Sequence, residues 1–208
     1  MKISYAITVC NEFIEIQKLL QLLLKNKRVQ DEIVILYDSK NGDSEVLSYL
    51  LKYNKLPNVQ TWRGLDFDGN FSKWKNLLTS YCDGDYIFQI DADEIPTVEL
   101  INLLPDLLDS NKEVDVLLVP RINTVEGLTQ EHIQKWGWKV DEKGWVNFPD
   151  YQWRIWKNKP EIKWINKVHE RLNGFKSYSM LPALPLYCLD HPKEIKKQVK
   201  QNDYYNTL

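Results

Sequence analysis

The first hundred residues repeat one arrangement: a short β-prone run, a polar turn, then apolar residues at helical spacing. Ile3–Val9 is followed by Ile16, Leu19, Leu20 and Leu23, whose i, i+3, i+4, i+7 recurrence predicts an amphipathic helix. Residues 32–37 contain IVILY, a near-continuous apolar run of the kind buried on both faces of a parallel sheet. Asp43, a capping residue type, precedes Val46, Leu47, Leu50 and Leu51, which predict a second helix. A weaker strand at Val59–Trp62, a loop holding Gly64 and Gly69, and a helix opening at Ser72 and running through Leu77, Leu78 and Tyr81 make a third unit. Asp83-Gly84-Asp85 then turns the chain into a strand at Tyr86–Ile90, a helix over Val98–Leu108 and a strand over Val114–Val119. Alternation of this length predicts an α/β fold, a mostly parallel sheet flanked by helices.

From Pro120 onward the pattern turns loop-rich and holds six of the eight tryptophans: Trp136, Trp138, Trp145, Trp153, Trp156 and Trp164. Short strands are expected at Tyr151–Lys157 and Ile162–Ile165, with a polar helix over Pro192–Tyr205. The 208 residues, 43% hydrophobic and 27% charged, suffice for one globular domain with its own core. The expected organisation is one domain, residues 1–208, built as two halves, 1–119 and 120–208. Cys10, Cys82 and Cys188 are odd in number and show no CxxC spacing, so buried free thiols are expected rather than disulfides or a thiolate zinc site. No apolar run approaches the roughly 18–20 residues that span a bilayer, and Glu12 follows the first run too soon for a secretory signal; the expected location is the cytoplasm. The net charge of −2 hides an asymmetry, because residues 151–208 carry 11 basic against 5 acidic side chains. That basic C-terminal region is a candidate face for an anionic partner, or simply a solvated charged surface.

The dinucleotide, P-loop, zincin and nucleophile-elbow motifs are absent. An open parallel sheet binds its ligand at the carboxyl ends of its strands. Here those ends carry Cys10-Asn11-Glu12, Asp38-Ser39 and Asp91-Ala92-Asp93-Glu94. Carboxylates converging from several strand ends repel unless a cation lies between them, and oxygen ligands favour Mg or Mn. Asp-x-Asp spacing occurs three times, at Asp66/Asp68, Asp83/Asp85 and Asp91/Asp93. Only the last directly follows a buried strand, YIFQI, so it is the candidate metal motif.

Taken in order, Ile7-Thr8-Val9-Cys10-Asn11-Glu12, IVILYDS, Asn70 to Asn76 and GDYIFQIDADE resemble the successive signatures of the family 2 glycosyltransferases, which have the GT-A fold. Farther on, Trp153-Arg154-Ile155-Trp156 to Val168-His169-Glu170 is similar to a segment of that family's lipopolysaccharide-glucosyltransferase-like branch, and small tailed-phage proteins are of the same type. The resemblance covers about residues 3 to 191. It departs from the family at Tyr37-Asp38, where Asp-Asp is frequent, and at Asp68-Gly69-Asn70-Phe71, a reduced glycine-rich stretch.

The resemblance implies roles. Thr8, Val9, Asn11, Glu12 and Asp38 would hold the nucleoside, Lys73 would lie near the base or diphosphate, Ala92 would belong to the nucleotide-sugar site, and Asp91 would contact the ribose or metal. Asp93 would ligate Mn or Mg, with His191 as a further ligand or a structural histidine. Glu170 would be the general base, Asp150 the second choice; a surface ion pair of Glu170 with Arg171 or Lys167 is the plainer alternative. Trp153, Arg154, Trp156 and His169 would bind the acceptor, although most such tryptophans are core residues.

The expected function is a metal-dependent, inverting transfer of a hexose from a nucleotide-sugar, a UDP-sugar in the first instance. The acceptor would be a saccharide, a modified base in phage DNA, or a protein hydroxyl. The rival readings are a metal-dependent nuclease or phosphohydrolase and a non-catalytic nucleotide-sugar-binding module.

Overall fold

A computed structural model of the chain describes residues 1–205. The first unit is strand β1 (Ile3–Val9) and helix α1 (Phe13–Asn26), whose Ile16, Leu19, Leu20 and Leu23 are all buried, as their spacing predicts. Strand β2 (Glu32–Asp38) is buried along its whole length. Helix α2 (Ser44–Leu51) follows; Asp43 stands at its N-cap position, but its side chain makes no capping hydrogen bond. Strand β3 (Val59–Gly64) and helix α3 (Phe71–Thr79) form the third unit. The cap of α3 is Asn70, which accepts the Lys73 amide, so the helix opens one residue before Ser72. Strand β4 (Tyr86–Asp91), the two-residue strand β5 (Ile95–Pro96), helix α4 (Val98–Ser110) capped by Thr97, and strand β6 (Val116–Val119) complete the first half.

The stretch expected to be mostly loop is more regular than its composition suggests. It holds strand β7 (Arg121–Glu126) and helix α5 (Gln130–Trp136), then β8 (Gln152–Lys157), β9 (Lys163–Ile165), β10 (Arg171–Asn173) and β11 (Tyr178–Met180). The terminal helix is also shorter than expected. Leu189–Glu194 is strand β12, and helix α6 starts only at Ile195. Pro192 fits the strand because β5 pairs β12 only at Leu189 and Asp190, and proline is tolerated where no ladder partner needs its N–H.

The main sheet has the order β11-β6-β8-β4-β1-β2-β3. Strands β4, β1, β2 and β3 are mutually parallel, while β8 runs antiparallel between β4 and β6. A small sheet, β5-β12-β7, stands beside it and carries His191 next to Asn123. One core cluster packs α1, α2 and α4 against one sheet face. The other gathers Trp74, Leu78, Trp156 and Trp164 under α3 and the β9-β10 pair. Cys188 is buried as expected, whereas Cys10 and Cys82 are only partly so, and all three are free thiols. Among the described residues no helix is long and apolar enough to cross a membrane.

Candidate active site

The carboxyl ends of β1, β2 and β4 open into a cavity of about 1070 Å³, at the upper end of the roughly 300–1,000 Å³ typical of small-molecule sites. One wall comes from Thr8–Glu12, Asp38 and Asp91–Asp93, the other from β7, β8, the β9–β10 loop and β12. Thr8, Val9, Asn11, Glu12, Asp38, Asp91, Ala92, Asp93, Asp150, Trp153, Arg154, His169, Glu170 and His191 all line it. Val9 and Ala92 are buried in the core and present only the wall. His169, exposed and at φ 52°, and Trp153 stand on the second wall.

Two expected residues are elsewhere. Lys73 is exposed and paired with Asp68 at 3.1 Å, outside the lining. Lys75 lines the cavity instead, because the buried stripe of α3 runs through Trp74, Lys75 and Leu78 while position 73 is exposed. Trp156 is 1% exposed in the second core cluster, edge-on to Trp164 at 5.5 Å, and offers no surface to an acceptor.

Arg154 has another partner than the one expected. Its guanidinium, 3% exposed, reaches Asp91 Oδ2 and Glu94 Oε1, each at 2.6 Å, and Gln89 Oε1 at 3.1 Å. Arg121 donates to Glu94 Oε1 at 2.8 Å and, through Nε and Nη2, to Asp150 Oδ2. Glu94, wholly buried, therefore anchors two arginines instead of facing the cavity. Lys75 completes the network, with Nζ 2.5 Å from Glu170 Oε1 and 3.6 Å from Asp91 Oδ1. Burial alone would raise the Asp91 carboxyl, but Arg154, Lys75 and the Gln89 hydrogen bond outweigh it and hold it well below the usual carboxylate range. Asp150 is lowered in the same way: burial opposes, while the Arg121 charge and hydrogen bonds from Asn123, Arg121 and Gln152 prevail.

Asp93 meets His191 Nε2 at 3.3 Å and Lys193 Nζ at 3.6 Å. Burial would raise it, yet the His191 hydrogen bond and the charges of His191 and Lys193 pull it down. The imidazole orientation follows from Asn123, whose Nδ2 donates to Asp150 Oδ2 at 2.8 Å, leaving Oδ1 as the acceptor for His191 Nδ1–H at 2.7 Å. Nε2 and a carboxylate oxygen then face each other, an arrangement that needs a proton or a cation between them.

Elsewhere on the first wall, Asp38 spends its carboxylate on the turn after β2, accepting the amides of Lys40 and Asn41. Glu12, raised chiefly by burial, accepts the amides of Cys10 and Asn11. Burial and then the Asp38 charge push the Cys10 thiol up to about 12, which removes it as a nucleophile. Among the described residues no group of three or more His, Cys, Asp or Glu side chains gathers closely enough to hold a metal. A cation here would take Asp93 and His191 from the protein and its other ligands from a bound molecule.

A family model for glycosyl transferase family 2 matches residues 4–180. The chain belongs to that family. Among solved structures, this family 2 chain superposes on S. aureus TarS residues 1–349 in complex with UDP-GlcNAc, with a TM-score of 0.66 and 18% identity, over 93% of this chain and 59% of that one. It also superposes on the same protein in complex with UDP, with a TM-score of 0.59 and 17% identity, over 87% and 61%. A longer TarS structure gives 0.53 and 22%, over 62% and 23%. The family 2 chain thus spans about three fifths or less of the TarS chains it matches. The shared architecture is the GT-A fold: a mostly parallel sheet flanked by helices.

Sequence reasoning missed Lys75, Arg121, Asn123 and Gln152. Lys75 had a readable signal, a lysine interrupting the apolar stripe Phe71, Trp74, Leu78 of α3. Arg121 and Asn123 sit on β7 of the small sheet and Gln152 on β8 of the main sheet, and their facing the cavity depends on how those strands pair with distant segments. The basic C-terminal region is paired on the protein only in part, since Lys163, Arg171, Lys196 and Lys200 are exposed. Arg154 is on Asp91 and Glu94, Lys157 and Lys159 are on Asp115, Lys193 is on Asp93 and Lys197 is on Glu15.

Proposed function

We propose that the chain transfers a hexose from a UDP-sugar to an acceptor hydroxyl with inversion at the anomeric carbon, using one divalent cation, Mn or Mg. The observation that carries this reading is the placement, around one cavity, of the Asp93–His191 pair beside the donor wall and Glu170 on the opposite side. Asp93 and His191 fit a divalent cation: a carboxylate oxygen and Nε2 face each other at 3.3 Å, and the imidazole is oriented by Asn123. When bound, that ion offsets the charge that develops on the departing nucleoside diphosphate.

The remaining steps belong to the chain's own side chains. Thr8, Asn11 and Glu12 line the nucleoside wall at the end of β1. Glu170 takes the acceptor hydroxyl proton as that oxygen bonds to the anomeric carbon and the diphosphate oxygen leaves with the electron pair of the broken bond. Asp150 is the poorer base, because three side chains donate to it and hold it ionised. A nuclease would gather carboxylates around two metals. Here Asp91 and Glu94 are committed to arginines, which supports a single-cation site.

Melting temperature across UDP-glucose, UDP-galactose and UDP-N-acetylglucosamine, with and without Mn, tests the proposal. At a ligand concentration a hundredfold above Kd, native-state binding stabilises by about 2.7 kcal/mol, a rise of roughly 5–11 °C for a chain of this size. One sugar should raise the midpoint only when Mn is present, and Asp93→Asn should abolish the Mn-dependent part. No shift with any of the three would sink the donor assignment.

A further inference from the structure

The β9–β10 loop that carries Glu170 is organised by helix α3. Asn76 Nδ2 donates to the Trp164 carbonyl and Asn76 Oδ1 accepts the Trp164 amide, both at 2.9 Å. At the other end of the helix the Phe71 amide donates to the Lys167 carbonyl at 3.0 Å. Between these two anchors Lys75, 5% exposed, crosses the face of Trp164 with Nζ 4.8 Å from the ring centroid and ends on Glu170 Oε1. Its second carboxylate, Asp91, belongs to β4 and the donor wall.

From this geometry we propose that Lys75 is a positioning residue: it fixes the Glu170 carboxylate and ties it to the donor wall through Asp91. The inference rests on Glu170 being the base. A buried ammonium needs more than one anionic or π partner to offset its lost hydration. Lys75 has three, from α3's neighbours β4, β9 and the loop, so its position is determined by all of them together. Carboxylate rotation about the last side-chain bond is broad and soft, and a short contact to one oxygen locks it. Productive proton removal requires hydrogen-bond reach to the hydroxyl, so the lock converts a mobile acid into an aimed one. Because the same ammonium lies between Asp91 and Glu170, a shift of either wall is felt at the other.

The test is a double-substitution cycle on the full chain, reading UDP release, with water as acceptor, from the UDP-sugar selected by the melting panel. Lys75→Met should lower kcat ten- to a hundredfold and leave the donor KM within about twofold. Lys75→Arg, which can still bridge both carboxylates, should recover most of that rate and the melting temperature. In a Glu170→Gln background either Lys75 substitution should cost less than about twofold further, since residues acting as one unit are non-additive. Equal losses in both backgrounds would overturn the proposal, as would a tenfold rise in donor KM at unchanged kcat, which would make Lys75 a donor ligand. If Lys75→Met does not fold, Lys75→Gln, which keeps a donor but removes the charge, carries the same cycle. A silent Glu170→Gln would refute the base assignment and with it this inference, while the UDP-sugar melting shifts would stand.

Discussion

Replacing Arg154 separates an acceptor contact from a structural clamp. In the structure its guanidinium is 3% exposed and serves Asp91, 30% exposed, and Glu94, which is wholly buried. Arg154→Gln leaves two carboxylates short of a cation; removing one partner of a buried pair costs about 3–5 kcal/mol. At roughly 2–4 °C per kcal/mol for a chain of 150–250 residues, the melting temperature should fall by about 6–20 °C at neutral pH. Arg154→Lys, a point charge without the planar fork, should recover about half of that loss. The pH dependence has a definite sign. The lowered Asp91 pKa contributes stability that is present above the unfolded carboxylate value of about 3.9 and is lost as the pH falls through the folded value. The gap between parent and variant should therefore shrink as the pH falls below about 4. Thermal unfolding followed by circular dichroism from pH 3 to pH 8 measures both effects. A glutamine variant melting within about 2 °C of the parent across that range would refute the reasoning and return Arg154 to the acceptor face.

Glu170→Gln should lower kcat by roughly 10² to 10⁴ with little change in donor affinity. Asp150→Asn should act mainly on the melting temperature through Arg121 and Asn123, and if the two effects are interchanged in UDP-release kinetics, the base is Asp150. At the opposite end of the sheet, Glu32, 1% exposed, accepts from Ser4 Oγ, the Asp83 amide and Lys2 Nζ. Glu32→Gln turns a donor toward one of those donors, costing about 1–3 kcal/mol. Its melting temperature should drop by several degrees while UDP release at 25 °C stays unchanged; a rate loss without a stability loss would contradict the assignment of that end to structure alone.

The βα alternation of the first half was legible because each element carries its period in its own residues: Ile16 to Leu23 spells a helix face, IVILY a doubly buried strand. The DADE strand end was legible for the same local reason. What escaped were contacts made between distant segments. Glu94 reads as an additional acid beside Asp93, but Arg121 and Arg154, 27 and 60 residues away, turn it into an anchor. Lys73 and Lys75 differ by two residues and nothing in their identity chooses between them; the phase set by the Asn70 cap does. Trp156 looked like a ligand-stacking aromatic in a tryptophan-rich stretch, yet its side chain packs into the core cluster with Trp164 and with Trp74 and Leu78, residues distant in sequence.

That insertion of β8 between β4 and β6 also governs how the protein is made. Strand β4 ends at residue 91 and β6 at residue 119, but the strand that joins them begins only at residue 152. During synthesis from the N-terminus, the parallel strands β1 to β4 can assemble early, leaving the outer edge of β4 as an open template of unpaired amides and carbonyls. At about 5–20 residues per second, the sixty or so residues between β4 and the start of β8 correspond to several seconds of that exposure. A nascent chain stalled in this interval holds the β1, β2 and β4 wall of the cavity but has a sheet edge free to pair with a neighbour. Its vulnerability to aggregation is set by translation speed through residues 92–157 as much as by the stability of the finished fold.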